Sequence, residues 1–108
     1  MKKQNLLFVC SQNKLRSPTA EQVFSQYPGV EAMSAGTNND AMTPLDGELV
    51  EWANVIFVME RSHLNKVRGK FKKHLNNKRV ICLNIPDDYD FMDPALVKLL
   101  EARVPRYL

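Results

Sequence analysis

A chain of 108 residues, 44% hydrophobic and 25% charged, with a formal net charge of +3, is the size of one domain with a single apolar core. That charge is too small to imply a nucleic-acid or membrane partner by itself, no apolar run approaches a membrane span, and two cysteines set far apart suggest no disulfide framework. The basic start, Met1-Lys2-Lys3, precedes an apolar run too short for a signal-peptide core and no small-residue cleavage site follows, so a reduced, cytoplasmic setting is expected.

Short apolar runs alternate with amphipathic stretches, the pattern of a parallel α/β sheet. The first strand is predicted from about Asn5 to Cys10, apolar throughout and so covered on both faces. A first helix is predicted from Ser17 to about Tyr27, with Ser17 as N-cap, Pro18 at the first helical position and a stop at Pro28-Gly29. Val30 to Gly36 reads as a second, weaker strand. Thr43-Pro44 should open the next helix, with Asp46 and Glu48 near its positive end and Leu45, Leu49, Val50 and Ala53 as its apolar stripe. Asn54 to Met59 is the clearest buried strand. A basic helix should follow from about Glu60 to Val67, resuming towards Leu75, and Arg79 to Ile85 should form the fourth strand. After an acidic loop from Pro86 to Met92, Asp93-Pro94 should begin the last helix, whose core face is Leu96, Val97, Leu99, Leu100 and Val104. Right-handed crossovers then give a three-layer α/β/α domain around a four-stranded parallel sheet, with residues 1–108 as a single unit.

The stretch Cys10-Ser-Gln-Asn-Lys-Leu-Arg16-Ser17 sits between the first strand and the first helix. Backbone N–H groups at a helix start cradle anions, and the same field favours a thiolate over a thiol. Arg16 can grip two phosphoryl oxygens with one planar fork. A cysteine, five residues and an arginine recur by chance; the strand before and helix after make the pattern specific. The bland alternatives are a buried strand-end cysteine and a surface arginine.

With these features the chain resembles the low-molecular-weight protein-tyrosine phosphatase family, on Leu7-Phe8-Val9-Cys10, Asn13, Arg16-Ser17-Pro18, Ser34-Ala35-Gly36-Thr37 and, more loosely, residues 53–59. The resemblance implies Cys10 as nucleophile through a phosphocysteine, Arg16 as the oxyanion clamp, and the loop Ser11, Gln12, Asn13, Lys14, Leu15 and Ser17 as substrate-binding residues. It implies further that Ser17 donates to the thiolate and that Asn13, a residue tolerant of positive φ, braces the loop.

A general acid is also required. Ile85-Pro86-Asp87-Asp88-Tyr89 fits the family's hydrophobic–x–Asp–Pro–Tyr pattern with Asp88 in place of proline, which makes Asp87 the candidate acid and Tyr89, with Phe91, a possible wall for an aromatic leaving group. Asp88 and Asp90 are neighbours that stay open, and Asp93 reads better as a helix cap.

Gln12 stands where the family usually has glycine, and Leu15 where many members carry a second, protective cysteine. The chain is short for the family, with losses between Thr37 and Pro44 and after Met59, which suggests a shallower cleft. Cys82 should be a buried thiol, Trp52 and Met59 core residues, and His63 and His74 surface histidines without metal-ligand spacing. The basic residues between Arg61 and Arg79 read as a solvated helix face, with an acidic partner or nucleic acid as the sharper but disfavoured alternative. The expected activity is hydrolysis of phosphotyrosine or a similar aryl phosphate, on a phosphoprotein or small molecule, with no cofactor, no metal and no membrane. Arsenate reduction, a phosphocarrier role and a non-catalytic phosphate-binding module remain alternatives.

Overall fold

The computed structural model describes residues 4–76 and 78–108. Its strands are β1 (Gln4–Cys10), β2 (Val30–Gly36), β3 (Val55–Val58) and β4 (Arg79–Cys82), all parallel, in the order β2-β1-β3-β4. The helices are α1 (Arg16–Phe24), α2 (Gly47–Trp52), α3 (Arg61–Lys70) and α4 (Pro94–Arg103), with short 3-10 turns at Lys72–His74 and Pro105–Tyr107. No helix is long and apolar enough to cross a membrane among the described residues.

The two inner strands are the apolar ones because helices cover both their faces. Leu6, Phe8 and Cys10 alternate onto one face with Val55, Phe57 and Met59, where Ala20 and Phe24 of α1 and Leu96 and Leu100 of α4 close over them. Leu7, Val9, Ile56 and Val58 point the other way, onto Val50 of α2 and Leu64 and Val67 of α3. Phe8 stacks between Phe24 and Phe57 at centroid distances of 5.5 and 5.2 Å. This is the expected three-layer arrangement.

Several boundaries move, each for a local reason. Ser17 does not cap α1. The N-cap position is Leu15, which supplies no side-chain bond, and Ser17 lies inside the helix with its hydroxyl turned to Cys10 and Asn13. The helix ends at Phe24, before Tyr27, and Gly29 (φ 75°) then turns the chain into β2. Thr43-Pro44 does not open α2, because Gly36 takes those polar groups: Gly36 N–H donates to Thr43 O (2.9 Å) and Leu45 N–H to Gly36 O (2.8 Å). Asp46 caps the helix instead, accepting from Leu49 N–H at 2.9 Å. β4 ends at Cys82, since Asn84 is left-handed (φ 56°) and Arg103 takes the carbonyls of Leu83 and Asn84. The chain still runs beside β3 to Ile85, whose N–H donates to Met59 O at 2.8 Å. Asp93 caps α4 as expected, accepting from Ala95 N–H at 2.9 Å.

The basic run is partly structural. Lys78 Nζ donates to the carbonyls of Glu51 (2.5 Å) and Ala53 (2.7 Å), holding the end of α2, and Arg79 lies over the Tyr107 ring. Cys82 is half-buried rather than buried, its thiol donating to Asn84 Oδ1 at 3.3 Å. Met59 belongs to the core, while Trp52 is half-buried at its edge.

Candidate active site

The sheet order reverses between β1 and β3, so the connections leaving these strands part to opposite faces and open a crevice at the carboxyl edge. Residues 11–15 span that crevice. Gly36, at the end of β2, supports the loop from beneath: a Cβ there would lie 2.5 Å from Ser11 O and 3.1 Å from Asn13 N, so only glycine lets the strand approach this closely. Asn38 N–H donates to Ser11 O (3.0 Å), Met42 N–H to Gln12 O (3.1 Å) and Thr37 N–H to Cys10 O (2.9 Å). These bonds take the loop's carbonyls outward. Among the described residues no partner accepts from the amides of Ser11 to Ser17, which leaves a run of donors beside the thiol.

Cys10 Sγ lies 2.9 Å from Ser17 Oγ, which donates to Asn13 Oδ1 at 2.8 Å and reaches Ala35 O at 3.4 Å. Asn13 is buried with φ 56°, the left-handed conformation its position in the sequence anticipates. The Ser17 hydroxyl has one proton to give. With a thiol it can accept S–H and donate to Asn13; with a thiolate the proton is wanted by sulfur.

Arg16 is 3% exposed. Its Nη1 donates to Glu60 Oε1 and to Ile85 O (2.8 Å), while Asp87 Oδ1 stands 3.7 Å from Nε. One edge of the guanidinium is thus anchored by the segments following β3 and β4, and Nη2 has no partner among the described residues. Cys10, Ser11, Gln12, Lys14, Leu15, Arg16 and Asp87 line one cavity of about 130 Å³. A wider depression of about 690 Å³, beside Glu51, Trp52 and His74, holds none of these residues.

Residues 5–55 match the model of the family described as low molecular weight phosphotyrosine protein phosphatase. Among solved structures, tyrosine phosphatase Wzb from Escherichia coli K30, in complex with phosphate, superposes with a TM-score of 0.78 at 20% identity, over 97% of this chain and 96% of that one. The fold is that of a low-molecular-weight tyrosine phosphatase. The arginine phosphatase YwlE from Geobacillus stearothermophilus is also similar, at TM-score 0.72 and 21% identity over 91% of this chain and 88% of that one. The low molecular weight protein tyrosine phosphatase SP-PTP from Streptococcus pyogenes reaches 0.78 at 14% identity, over 97% and 93%. No curated protein matches at the level of sequence. The structures named are of phosphatases, and the Cys10–Ser17 loop of this chain falls within the residues matched by the family model.

Within this phosphatase fold the remaining sequence candidates are placed unevenly. Asp87 reaches the cavity with a side chain 68% exposed. Asp88 and Asp90 are exposed and do not line it, and Asp93 is occupied as a cap. Tyr89 packs half-buried against the core, outside the cavity wall, and Phe91 is 51% exposed on a neighbouring depression that it shares with Lys14 and Met42. Among the described residues no group of three or more His, Cys, Asp or Glu side chains is placed to hold a metal ion.

Two residues at this site were not singled out from sequence. Glu60 was read only as a helix start, yet its carboxylate holds Arg16. His63 was expected at the surface and is 1% exposed, a correction with a clear cause: it sits at the third position of α3, facing back over the loop. Its Nδ1 accepts from Glu60 N–H (3.1 Å) and its Nε2 lies 2.8 Å from Ser11 Oγ. His74 is the more exposed of the two and pairs with Glu51 at 2.9 Å.

Burial, reinforced by the Arg16 charge and opposed by Glu60, pulls the His63 imidazole down from 6.5 to about 4. Lys66 adds to the fall and Asp87 resists it. The unfolded chain therefore takes up a proton between these values that the folded chain refuses, so this contribution to stability is complete above pH 6.5 and is lost as the pH falls towards 4. It amounts to about 3 kcal/mol. The stability difference between wild type and His63→Gln, from urea titrations, is expected to shrink by about that amount from neutral pH to about pH 4. A difference that stays constant with pH would contradict the buried neutral ring.

Proposed function

We propose that this chain is a cysteine-dependent phosphomonoesterase that hydrolyses phosphotyrosine or a similar aryl phosphate through a phosphocysteine intermediate. The observation that carries this reading is the convergence of Cys10, the Arg16 guanidinium and the unpartnered loop amides on one small cavity. Cys10 Sγ attacks phosphorus as the thiolate while the ester P–O bond breaks, and Asp87 gives its proton to the leaving oxygen. Water then attacks the phosphocysteine and loses a proton to Asp87. The S–P bond breaks and Ser17 donates its hydroxyl hydrogen to the departing thiolate, from 2.9 Å away. Arg16 and the loop amides bind the equatorial oxygens, whose charge shifts during both steps.

Leu15, 36% exposed on the cavity wall, offers an aryl ring an apolar surface, and Lys14 beside it carries a positive charge. That charge disfavours a guanidinium leaving group, which supports tyrosine phosphoesters over phosphoarginine, a phosphoramidate, as substrates.

The test is turnover of p-nitrophenyl phosphate, phosphotyrosine and phosphoarginine, with vanadate as inhibitor and mass spectrometry of acid-quenched enzyme. The expected result is vanadate-sensitive hydrolysis of the aryl esters and a phosphoryl adduct on the peptide bearing Cys10. No turnover above buffer would overturn the reading and leave a phosphate-binding module, a carrier or a reductase.

The assignment of the acid has its own test. Asp87→Asn should lower kcat about 100-fold or more on phenyl phosphate, and less on p-nitrophenyl phosphate, whose leaving group needs little protonation. Equal losses on both esters, or a larger loss in Asp90→Asn, would move the role elsewhere.

A further inference from the structure

His63 does not itself line the cavity but contacts Ser11, which does, and its hydrogen bonds restrict what it can do. Its Nδ1 accepts from the backbone N–H of Glu60, so a neutral ring must carry its proton on Nε2. That nitrogen faces Ser11 Oγ at 2.8 Å and has no lone pair with which to act as a base. The serine therefore accepts from the histidine, and its own hydrogen is directed elsewhere.

Residue 11 has little freedom to choose another arrangement. Its carbonyl is held by Asn38 N–H at 3.0 Å and abuts Gly36, while its side chain is held from α3. It follows the nucleophile directly and lines the same cavity as Cys10 and Arg16. A hydroxyl that accepts on its α3 side can present its proton to an anion in that cavity.

Building on the phosphatase reading, we propose that His63 is a positioning residue: by donating to Ser11 Oγ it turns the Ser11 hydroxyl into a side-chain donor for a phosphoryl oxygen, supplementing the loop amides. The arrangement resembles a serine–histidine dyad in its atoms but runs in the opposite sense, with histidine as the donor. It uses no proton transfer, only the fixed direction of one O–H bond. An ion-assisted hydrogen bond of this kind is stronger than a neutral one.

The experiment compares wild type, Ser11→Ala, Ser11→Thr, His63→Gln and the double variant Ser11→Ala/His63→Gln. Two quantities are read: kcat/KM on p-nitrophenyl phosphate, and the dissociation constant of inorganic phosphate by calorimetry. Ser11→Ala is expected to weaken phosphate binding and lower kcat/KM, each about 10-fold. Ser11→Thr, which keeps a hydroxyl, should recover most of both losses. His63→Gln should show part of the loss in wild-type background and none in the Ser11→Ala background, the mark of a residue acting through its neighbour.

Unchanged phosphate affinity in Ser11→Ala, no recovery in Ser11→Thr, or additive losses in the double variant would each overturn the proposal. If His63→Gln does not fold, the alanine and threonine variants still decide whether the hydroxyl is a donor. A wild-type chain that binds phosphate without turning over esters defeats the phosphatase reading alone, since the binding series remains a valid test. A chain that binds no phosphate defeats both.

Discussion

Replacing Cys10 by serine should lower turnover of p-nitrophenyl phosphate by about 10,000-fold or more while leaving the fold and the phosphate site in place. The hydroxyl is nearly isosteric with the thiol, and Cys10 is already 4% exposed at the end of a fully paired strand, so little packing changes. Ser17 Oγ, 2.9 Å from the sulfur, remains a hydrogen-bond partner for the new oxygen. Under the proposed mechanism the anionic nucleophile disappears, because an alcohol is scarcely ionised near neutral pH and Asp87, the one carboxylate lining the cavity among the described residues, is assigned to the leaving oxygen. Inorganic phosphate should bind the variant at least as tightly as it binds wild type, since a thiolate facing a phosphate dianion repels it. The two measurements together are decisive. Lost turnover with retained phosphate binding identifies sulfur as the reacting atom, whereas residual turnover within about 10-fold of wild type would assign the chemistry to another group.

Arg16→Lys conserves charge and should still reduce kcat/KM by about 1,000-fold. The guanidinium fills two roles at once. Nη1 satisfies Glu60 and the carbonyl of Ile85, and the rest of the fork faces the cavity beside Asp87. A lysine ammonium on a flexible stem can reach one of these groups but cannot divide itself between the anchors and two phosphoryl oxygens. Drawn towards Glu60, it abandons the substrate; drawn into the cavity, it leaves a buried carbonyl without its partner, at about 1–3 kcal/mol. Kinetics should be accompanied by thermal unfolding of the variant. Activity within a few-fold of wild type would mean that positive charge alone suffices and that the planar fork contributes nothing.

The loop from Cys10 to Ser17 was legible because its parts are contiguous. Cys10, Asn13, Arg16 and Ser17 lie within one turn of chain, and the strand before and helix after could be read from apolar pattern and Pro18. The last helix was equally plain, since Asp93-Pro94 is a local signal with a local consequence. Glu60 and His63 escaped because their significance depends on which strands are neighbours. Val9 pairs with Val58 in the parallel register, and Met59 N–H donates to Val9 O, so residue 60 emerges level with the start of the phosphate loop. A polar residue directly after a buried central strand was the available signal, at the edge where ligands of such sheets gather. The start of α2 was misplaced for a related reason: Thr43-Pro44 is a sound local cap, but the end of β2 claims its backbone first. Ser17 proved not to be the helix cap the local pattern suggested, while its hydroxyl lies beside Cys10 as the family resemblance implied.

Arg16 belongs to the first helix, yet the groups that steady its guanidinium arrive 44 and 69 residues later, at Glu60 and Ile85. A chain emerging during synthesis would therefore possess the complete loop sequence long before the Arg16 guanidinium has both its anchors. Until the segments that follow β3 and β4 dock, the guanidinium lacks Glu60 and then the Ile85 carbonyl, although the loop around Cys10 is already held by Thr37, Asn38 and Met42. Activity gained during refolding should accordingly follow the docking of the β4 edge rather than the earlier growth of helix signal. The arginine is thus completed by the C-terminal half of the chain rather than by the loop that carries it.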